Sequence, residues 1–289
     1  MHTVSVILPV FNRENIISKT LENLKKQNYR PLEVILVDDA STDDTIEKIY
    51  SFINNNFDNK FNIRLYLNKK NKGACYCRNF GIGKSTGKYL QFLDSDDQLH
   101  SNKIRDQVNL LEYKNSNLVL SDYEYRKDNE ILKKCLNNGN LFKKVSLGWS
   151  IYTSSPLIKF NLIKDKLNWN EKLIFLQDKD FLFKLLMLSG NYIYLPGFTS
   201  YYMQHSDNQI SDLYLFKKPQ FFILILSRAS FLFKNLFKLK FKCILYTCLG
   251  IVQIIFESIY YYMKKIIKIL FREKIYSKIK NIYQFIFRA

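Results

Sequence analysis

The run Val4-Ser5-Val6-Ile7-Leu8-Pro9-Val10 is the strongest constraint on how this chain folds. A half-exposed strand alternates apolar and polar residues. This run is apolar and β-branched almost throughout, so both of its faces are covered, as they are for a strand inside a parallel sheet. Glu33–Val37, Ile63–Leu67 and Tyr89–Leu93 predict three more strands. Helical stripes separate them. Ile16, Ile17, Leu21 and Leu24 share one face of a helix predicted over 14–27, with Asn12 as its cap. Ile46, Ile49, Tyr50 and Ile53 share a face of the next, capped by Ser41 or Thr42, and 73–85 predicts a third helix. Strand–helix alternation at this pace predicts a doubly wound α/β sheet with right-handed crossovers. Such sheets bind ligands at the carboxyl ends of their strands.

Those ends are acidic. Asp38 and Asp39 close the second strand, and Asp94-Ser95-Asp96-Asp97 closes the fourth, so groups far apart in sequence converge at one edge. Clustered carboxylates repel one another unless a cation or sugar hydroxyls use them. A hard divalent ion that also holds a diphosphate fits, because Mg²⁺ takes one or two protein carboxylates together with substrate phosphates. A solvated acidic turn is the other reading. Two glycine patterns carry no chemistry. Gly83-Lys84-Ser85 imitates the end of a P-loop, but the first glycine that motif needs falls at Arg78. Gly81, Gly83 and Gly87 miss the dinucleotide spacing and precede a strand where that motif opens a helix.

Further along, Ile104, Val108 and Leu111 predict a helix and Leu118–Leu120 a strand, while 123–147 reads as polar, Lys/Asn-rich surface. Gln177-Asp178 opens an apolar helix that stops at Gly190. An acid in a first helical turn serves the helix dipole or the chemistry, and sequence alone leaves both open. Tyr201 to His205 are placed after the strand that follows.

Composition sets the outer limits. With 9 Gly and 5 Pro among 289 residues, a sandwich of many short, turn-punctuated strands is disfavoured. The five cysteines are irregularly spaced without nearby His partners, which argues against zinc and for reduced thiols in the cytoplasm. No signal peptide is read at the N-terminus. The net charge of +18 sits mainly in residues 214–289, whose only acids are Glu257 and Glu273. That asymmetry points to an anionic membrane surface or to nucleic acid. The expected division is therefore a catalytic domain over 1–213 and a basic, aromatic-rich helical region over 214–289. In the latter, Ile275, Ile279, Ile282 and Ile286 form one stripe, and Leu232, Leu236 and Leu239 repeat it among lysines. Amphipathic helices of this kind lie in a membrane interface. A helical lid packed on the catalytic domain or on a second subunit is the alternative, and a homo-oligomer is allowed. Cys243–Met263 lacks Lys and Arg but contains Gln253 and Glu257, so it is read as lying on the membrane, not crossing it.

Taken together, several ordered motifs resemble the family-2 glycosyltransferases of GT-A fold. They are Val4 to Asn12, Val37-Asp38-Asp39-Ala40-Ser41-Thr42-Asp43, Asn71-Lys72-Gly73 with Arg78-Asn79, Gly87 to Asp97 with the D-x-D element Asp94-Ser95-Asp96, and Gln177-Asp178. The resemblance implies a Rossmann-like, mixed but mostly parallel sheet flanked by helices, with the C-terminal amphipathic helices as an extension. It implies that Asp39 holds the nucleotide base, that Pro9 and Asn12 shape that pocket, and that Arg78 lines the nucleotide. Asp94 and Asp96 would serve the ribose and a Mg²⁺ or Mn²⁺ on the diphosphate, Asp96 coordinating it directly, with His205 as a further metal candidate approaching the diphosphate and Asp97 and Asp38 as further site candidates. Asp178 would be the general base. Gln177 stands where the family usually has Glu, and Met203 where many relatives carry Arg. No Gln-x-x-Arg-Trp motif of the processive synthases is present. The implied activity is inverting, metal-dependent, non-processive transfer of one sugar from a nucleotide-diphosphate sugar, UDP by family habit, to a glycan or lipid-linked acceptor. The setting would be surface-polysaccharide assembly at the cytoplasmic face of the membrane. A sugar-nucleotide-binding pseudoenzyme is one alternative. A nucleic-acid binder using the basic tail is the other, and it leaves Asp39, Asp94, Asp96 and Asp178 unexplained, so no nucleic-acid partner is expected.

Overall fold

The computed structural model describes residues 2–56, 58–127, 130–135, 141–146, 151–204, 220–235, 244–253 and 255. The first elements are β1 (Val4–Val10), α1 (Ile17–Lys25), β2 (Leu32–Asp38), α2 (Thr45–Asn55), β3 (Phe61–Leu67), α3 (Ala74–Lys84) and β4 (Tyr89–Phe92). There follow β5 (Gln98–Leu99), α4 (Lys103–Tyr113), β6 (Leu118–Lys127), β7 (Glu130–Cys135), α5 (Leu141–Ser146) and β8 (Leu157–Lys159). The last are α6 (Phe160–Ile163), α7 (Gln177–Ser189), β9 (Ile193–Gln204) and α8 (Gln220–Lys234). The strands form one sheet in the order β3-β2-β1-β4-β8-β6-β9-β5, with β7 paired to β6. β1 pairs in parallel with β2 and β4, β2 with β3, and β6 with β9. β8, β5 and β7 join antiparallel.

Alternation of side chains along the central strands supplies both faces. Val4, Val6, Leu8 and Val10 of β1 and Leu32, Val34 and Leu36 of β2 meet Ile17, Leu21 and Leu24 of α1, Ile49 and Phe52 of α2, and Ile104, Val108 and Leu111 of α4. On the other face, Ile7, Leu90 and Phe92 pack with Cys75 and Ile82 of α3 and with Phe181, Leu182 and Leu185 of α7. Burying each such aliphatic side chain is worth roughly 1.5–3 kcal/mol, which is why continuous apolar runs choose the inner strands.

Several local expectations differ. Asn12 does not cap α1. It adopts φ +49° and accepts the Thr42 N–H on its side-chain oxygen, tying the β1–α1 loop to the β2–α2 loop. Neither Ser41 nor Thr42 caps α2. The N-cap position is Asp44, whose side chain makes no cap bond, and Asp43 in the turn before it accepts the Thr45 N–H at 3.1 Å. The buried face of α2 is Thr45, Ile49 and Phe52, while Tyr50 is exposed, because the turn holds the helix start at Thr45. The region after 123 begins as strand: β6 runs on to Lys127, paired on both sides by β7 and β9, with Tyr123 and Glu124 buried. Tyr201–Gln204 belong to β9 itself.

Of the basic extension, α8 packs on α7. Leu224 shares an apolar cluster with Leu173, Phe175 and Leu176. Residues 244–253 are helical and approach α5 so closely that a Cβ on Gly250 would meet the Ser146 carbonyl oxygen at 1.7 Å. Among the described residues no helix is long and apolar enough to cross a membrane. The boundary at 213/214, His205 and the stripe over 275–286 lie outside the described residues.

Candidate active site

The acidic strand ends converge where Pro9 opens the sheet. β1 and β4 stay paired as far as Ile7 and Phe92, and the Leu93 N–H still reaches the Ile7 carbonyl at 3.1 Å. The next rung of a parallel ladder needs an N–H from residue 9. Proline has none, so the β1–β4 ladder ends there, and Asn12, Asp38 and Asp94 lie at and beyond the strand ends on that edge.

One wall is laced by side-chain oxygens. The Asn12 N–H donates to Ser41 Oγ at 2.9 Å, Arg13 N–H to Thr45 Oγ1 at 2.7 Å and Glu14 N–H to Asp43 Oδ2 at 3.1 Å. Asp38 is fully buried and closes its own turn by accepting the Ser41 N–H at 2.9 Å. Asp39, 3% exposed, anchors the loop before α3: it accepts from Asn68 Nδ2, Lys72 N–H and Gly73 N–H at 2.9, 2.8 and 2.7 Å. The Cys77 thiol also hydrogen-bonds this carboxylate, so four donors inside the protein share its roughly four lone-pair sites.

The opposite wall turns on Arg78. Its buried guanidinium donates to Asp94 Oδ1 at 2.6 Å and to Gln177 Oε1 at 2.9 Å, and it lies 4.3 Å from the centre of the Trp169 ring. Burial works against its charge, but Asp94 more than compensates and the guanidinium is held protonated above its ordinary value. Gln177 donates its other amide end to the Leu173 and Ile174 carbonyls at 3.0 and 2.7 Å. One arginine thus joins the D-x-D loop to the start of α7. Asp178, half-buried in that first turn, has its carboxyl raised above the usual range by burial, and the Lys179 and Arg78 charges bring it only part of the way back.

Asp96 faces Arg13 at 3.6 Å. Asp97 is fully buried, takes a long hydrogen bond from Tyr152 OH at 3.4 Å, and accepts the Met203 N–H across the β5–β9 pair. Burial, then the charges of Asp96 and Asp94, push its carboxyl well above the usual range, and its Oδ2 has no protein partner. Among the described residues no three His, Cys, Asp or Glu side chains form a ready-made metal cage. The donors fit a hard divalent cation all the same. They are all oxygen, Asp94 and Asp96 are both partly exposed, and such an ion takes few protein ligands when a diphosphate supplies the rest.

The structure brings Pro9, Asn12, Asp38, Asp39, Arg78, Asp94, Asp96, Asp97 and Asp178 to this edge. Four groups were missed from sequence. Arg13 stands beside the predicted Asn12, and Asn68 precedes the loop that Asp39 holds. Trp169, one of two tryptophans, floors Arg78, and Tyr152 lies in the mixed small and aromatic stretch before β8. Beneath them, Lys103 is wholly buried and donates to Gln91 and Gln107 at 2.5 and 2.6 Å, while Gln91 Nε2 donates to the Ser154 carbonyl and so fixes the Tyr152 turn.

Comparison with known proteins agrees with this layout. The solved structure of S. aureus TarS residues 1–349 in complex with UDP-GlcNAc superposes with a TM-score of 0.69 at 21% identity, covering 80% of this chain and 66% of that one. The mannosyltransferase PcManGT from Pyrobaculum calidifontis, in complex with GDP-Man and Mn²⁺, gives 0.59 at 18% identity, covering 79% and 64%. The fold is therefore that of GT-A enzymes. An Escherichia coli relative, the UDP-Glc:alpha-D-GlcNAc-diphosphoundecaprenol beta-1,3-glucosyltransferase WfgD, is 32% identical over 46% of this chain and 50% of its own length. The matches cover between 20% and 50% of the lengths of the first five curated relatives. The model of the family described as "Glycosyl transferase family 2" matches residues 5–172, more than half of the sequence, and the chain belongs to that family.

Proposed function

We propose that this protein transfers a single sugar, with inversion, from a UDP-sugar to a hydroxyl of a lipid-linked glycan at a cytoplasmic membrane surface. The observation that carries the reading is the Arg78 bridge, which ties the donor-side carboxylate Asp94 to the helix start that bears Asp178. The base of the nucleotide would lie against Pro9 and Asn12 and donate its N–H to the Asp39 carboxylate, taking the place of the Cys77 thiol there. Asp94 and Asp96 would hold the ribose and a Mg²⁺ or Mn²⁺, whose chemistry is to neutralise the charge that grows on the departing diphosphate. Asp178 takes the proton of the acceptor hydroxyl, and its raised carboxyl is better matched to that proton than an ordinary aspartate. A single base on the face opposite the leaving group gives one displacement and inversion at the sugar carbon.

The named donor and acceptor of WfgD support a UDP-sugar and a lipid diphosphate acceptor, and the UDP-GlcNAc complex of TarS supports UDP. The cationic region after 214 supports docking to an anionic surface.

A thermal-shift panel of UDP, GDP, CMP and dTDP, each with and without Mn²⁺, tests the donor side. A nucleotide at 100 times its Kd stabilises by about 2.7 kcal/mol. Stabilisation by one nucleotide that needs the metal is expected, and none by any of them sinks the reading. Asp178→Asn tests the acceptor side: it should bind the same nucleotide and lose turnover.

A further inference from the structure

We infer that Arg228, with Leu224 and Ser227, is a positioning group for Asp178, so that helix α8 of the C-terminal extension is part of the transfer site. The inference rests on the reading of Asp178 as the base. Arg228 is 1% exposed, an unusual fate for a guanidinium, whose burial is costly unless its donors are met. It donates to the carbonyl of Lys179, the residue directly after Asp178, and to that of Ser146, both at 3.2 Å, and lies 4.5 Å from the centre of the Phe183 ring. It therefore grips the first turn of α7 from its far side.

Leu224 grips the same turn from in front. Leu176, the residue before Gln177-Asp178, is held in the left-handed conformation at φ +62°, which a leucine adopts only at a cost. Its side chain is 4% exposed in a cluster with Leu173, Phe175 and Leu224, which is 2% exposed. Packing by Leu224 helps hold that backbone geometry. Ser227 adds a polar tie: its Oγ accepts from Lys184 Nζ at 2.6 Å and from Asn170 Nδ2 at 3.2 Å, and donates to Asp180 Oδ2 at 3.2 Å. Asp180 and Lys184 are themselves paired at 2.7 Å on α7. Contacts from one helix thus bracket the base on both sides in sequence. An error of an ångström in a reacting group costs on the order of 10²-fold in rate, so this bracket matters for turnover even where the fold survives without it.

The test uses the full chain with Arg228→Met, Arg228→Lys, Leu224→Ala and Asp178→Asn, and Leu226→Ala as a control on the exposed side of α8. Amide hydrogen exchange over 173–180, UDP binding by titration with Mn²⁺, and UDP release from UDP-Glc and UDP-GlcNAc are measured. Arg228→Met and Leu224→Ala should each speed exchange over 173–180 at least ten-fold and lower kcat at least ten-fold. UDP affinity, the donor KM and protection of β1 and β2 should stay within two-fold, Arg228→Lys should recover part of kcat, and Leu226→Ala should match wild type. Unchanged exchange, or faster exchange with wild-type kcat, overturns the inference. If Arg228→Met fails to fold, Leu224→Ala decides on the same readouts. If Asp178→Asn turns over like wild type, the base assignment fails instead, and the exchange result still judges whether α8 holds this turn.

Discussion

Replacing Arg78 by Met should separate the two walls of the site. The side chain makes one charge-assisted hydrogen bond, to Asp94 at 2.6 Å, one neutral bond, to Gln177 at 2.9 Å, and a stacked contact with Trp169, which itself stacks on Phe181 at 4.1 Å. Such bonds are worth roughly 1.5–3 and about 1 kcal/mol, and a desolvated cation–π contact up to about 2 kcal/mol. Removing a buried guanidinium also relieves its desolvation cost, and Asp94, with its side chain 28% exposed, regains part of its hydration. The net loss is then about 2–4 kcal/mol. With a urea m-value of about 2–3 kcal/mol/M, the unfolding midpoint should fall by about 0.7–2 M. Turnover should fall on the order of 10²-fold, because Asp94 and the start of α7 lose their common reference. Arg78→Lys keeps a charge for Asp94 but cannot serve Gln177 and stack on Trp169 together, so it should lie between. An Arg78→Met protein with the wild-type midpoint and wild-type kcat would refute the bridge.

Asp178 has a raised carboxyl, so the acid limb of kcat should lie above the ordinary aspartate value near 3.9, as a pH–rate profile would show. A raised acid favours the fold below its unfolded pKa and loses that contribution as pH rises through its folded value, so Asp178→Asn should gain on wild type in thermal stability as pH rises through that range. Glu33 is the opposite case. Burial pushes its carboxyl up, but hydrogen bonds from Ser5 and Thr86 and the Arg64 charge outweigh this and leave it lowered. Its contribution is present above the unfolded pKa near 4.3 and lost as pH falls through the folded value, and Glu33→Gln should cost roughly 1–3 kcal/mol at neutral pH by denaturant titration. Gly87→Ala would place a Cβ 2.8 Å from both Ser5 N and Thr3 O, backbone atoms of the neighbouring strand. A melting temperature lowered by several degrees is expected, and an unchanged one would show that the β1–β4 contact gives more freely than its geometry implies.

What could be read from sequence was what is encoded locally. β1 and the buried face of α1 announce themselves by periodicity, and the rule that ligands meet strand ends then places Asp39 and Asp94 together without any contact being known. The second half of β6 hides because its polar residues are satisfied inside the fold, one by a distant partner and one by a near neighbour on the strand. Tyr194 OH donates to Asp122, and Arg126 pairs with Glu124 at 2.7 Å, so buried positions read as surface. Lys103 misleads in the same manner: at the start of a helix it looks solvated, yet it is 0% exposed, and burial holds its amine well below the usual lysine value. Arg78 could be named as a site residue, but its partner Gln177 is 99 positions away, and no spacing rule links them.

The Gln177 departure from the family pattern becomes intelligible through that same pair. A glutamate there would set a second negative charge against Arg78 beside Asp94, and it would have no N–H to give. Gln177 uses its oxygen for Arg78 and its NH₂ for the Leu173 and Ile174 carbonyls, stitching the loop that ends in left-handed Leu176 to the arginine. The guanidinium charge is then left for Asp94 and, at longer range, for Asp178, whose carboxyl it draws downward against burial. An extra carboxylate at 177 would work the other way, raising a neighbouring acid further and moving it toward protonation at neutral pH. In this chain, then, the Gln177 amide does the orienting, while Lys179 first and Arg78 after it offset the burial of Asp178.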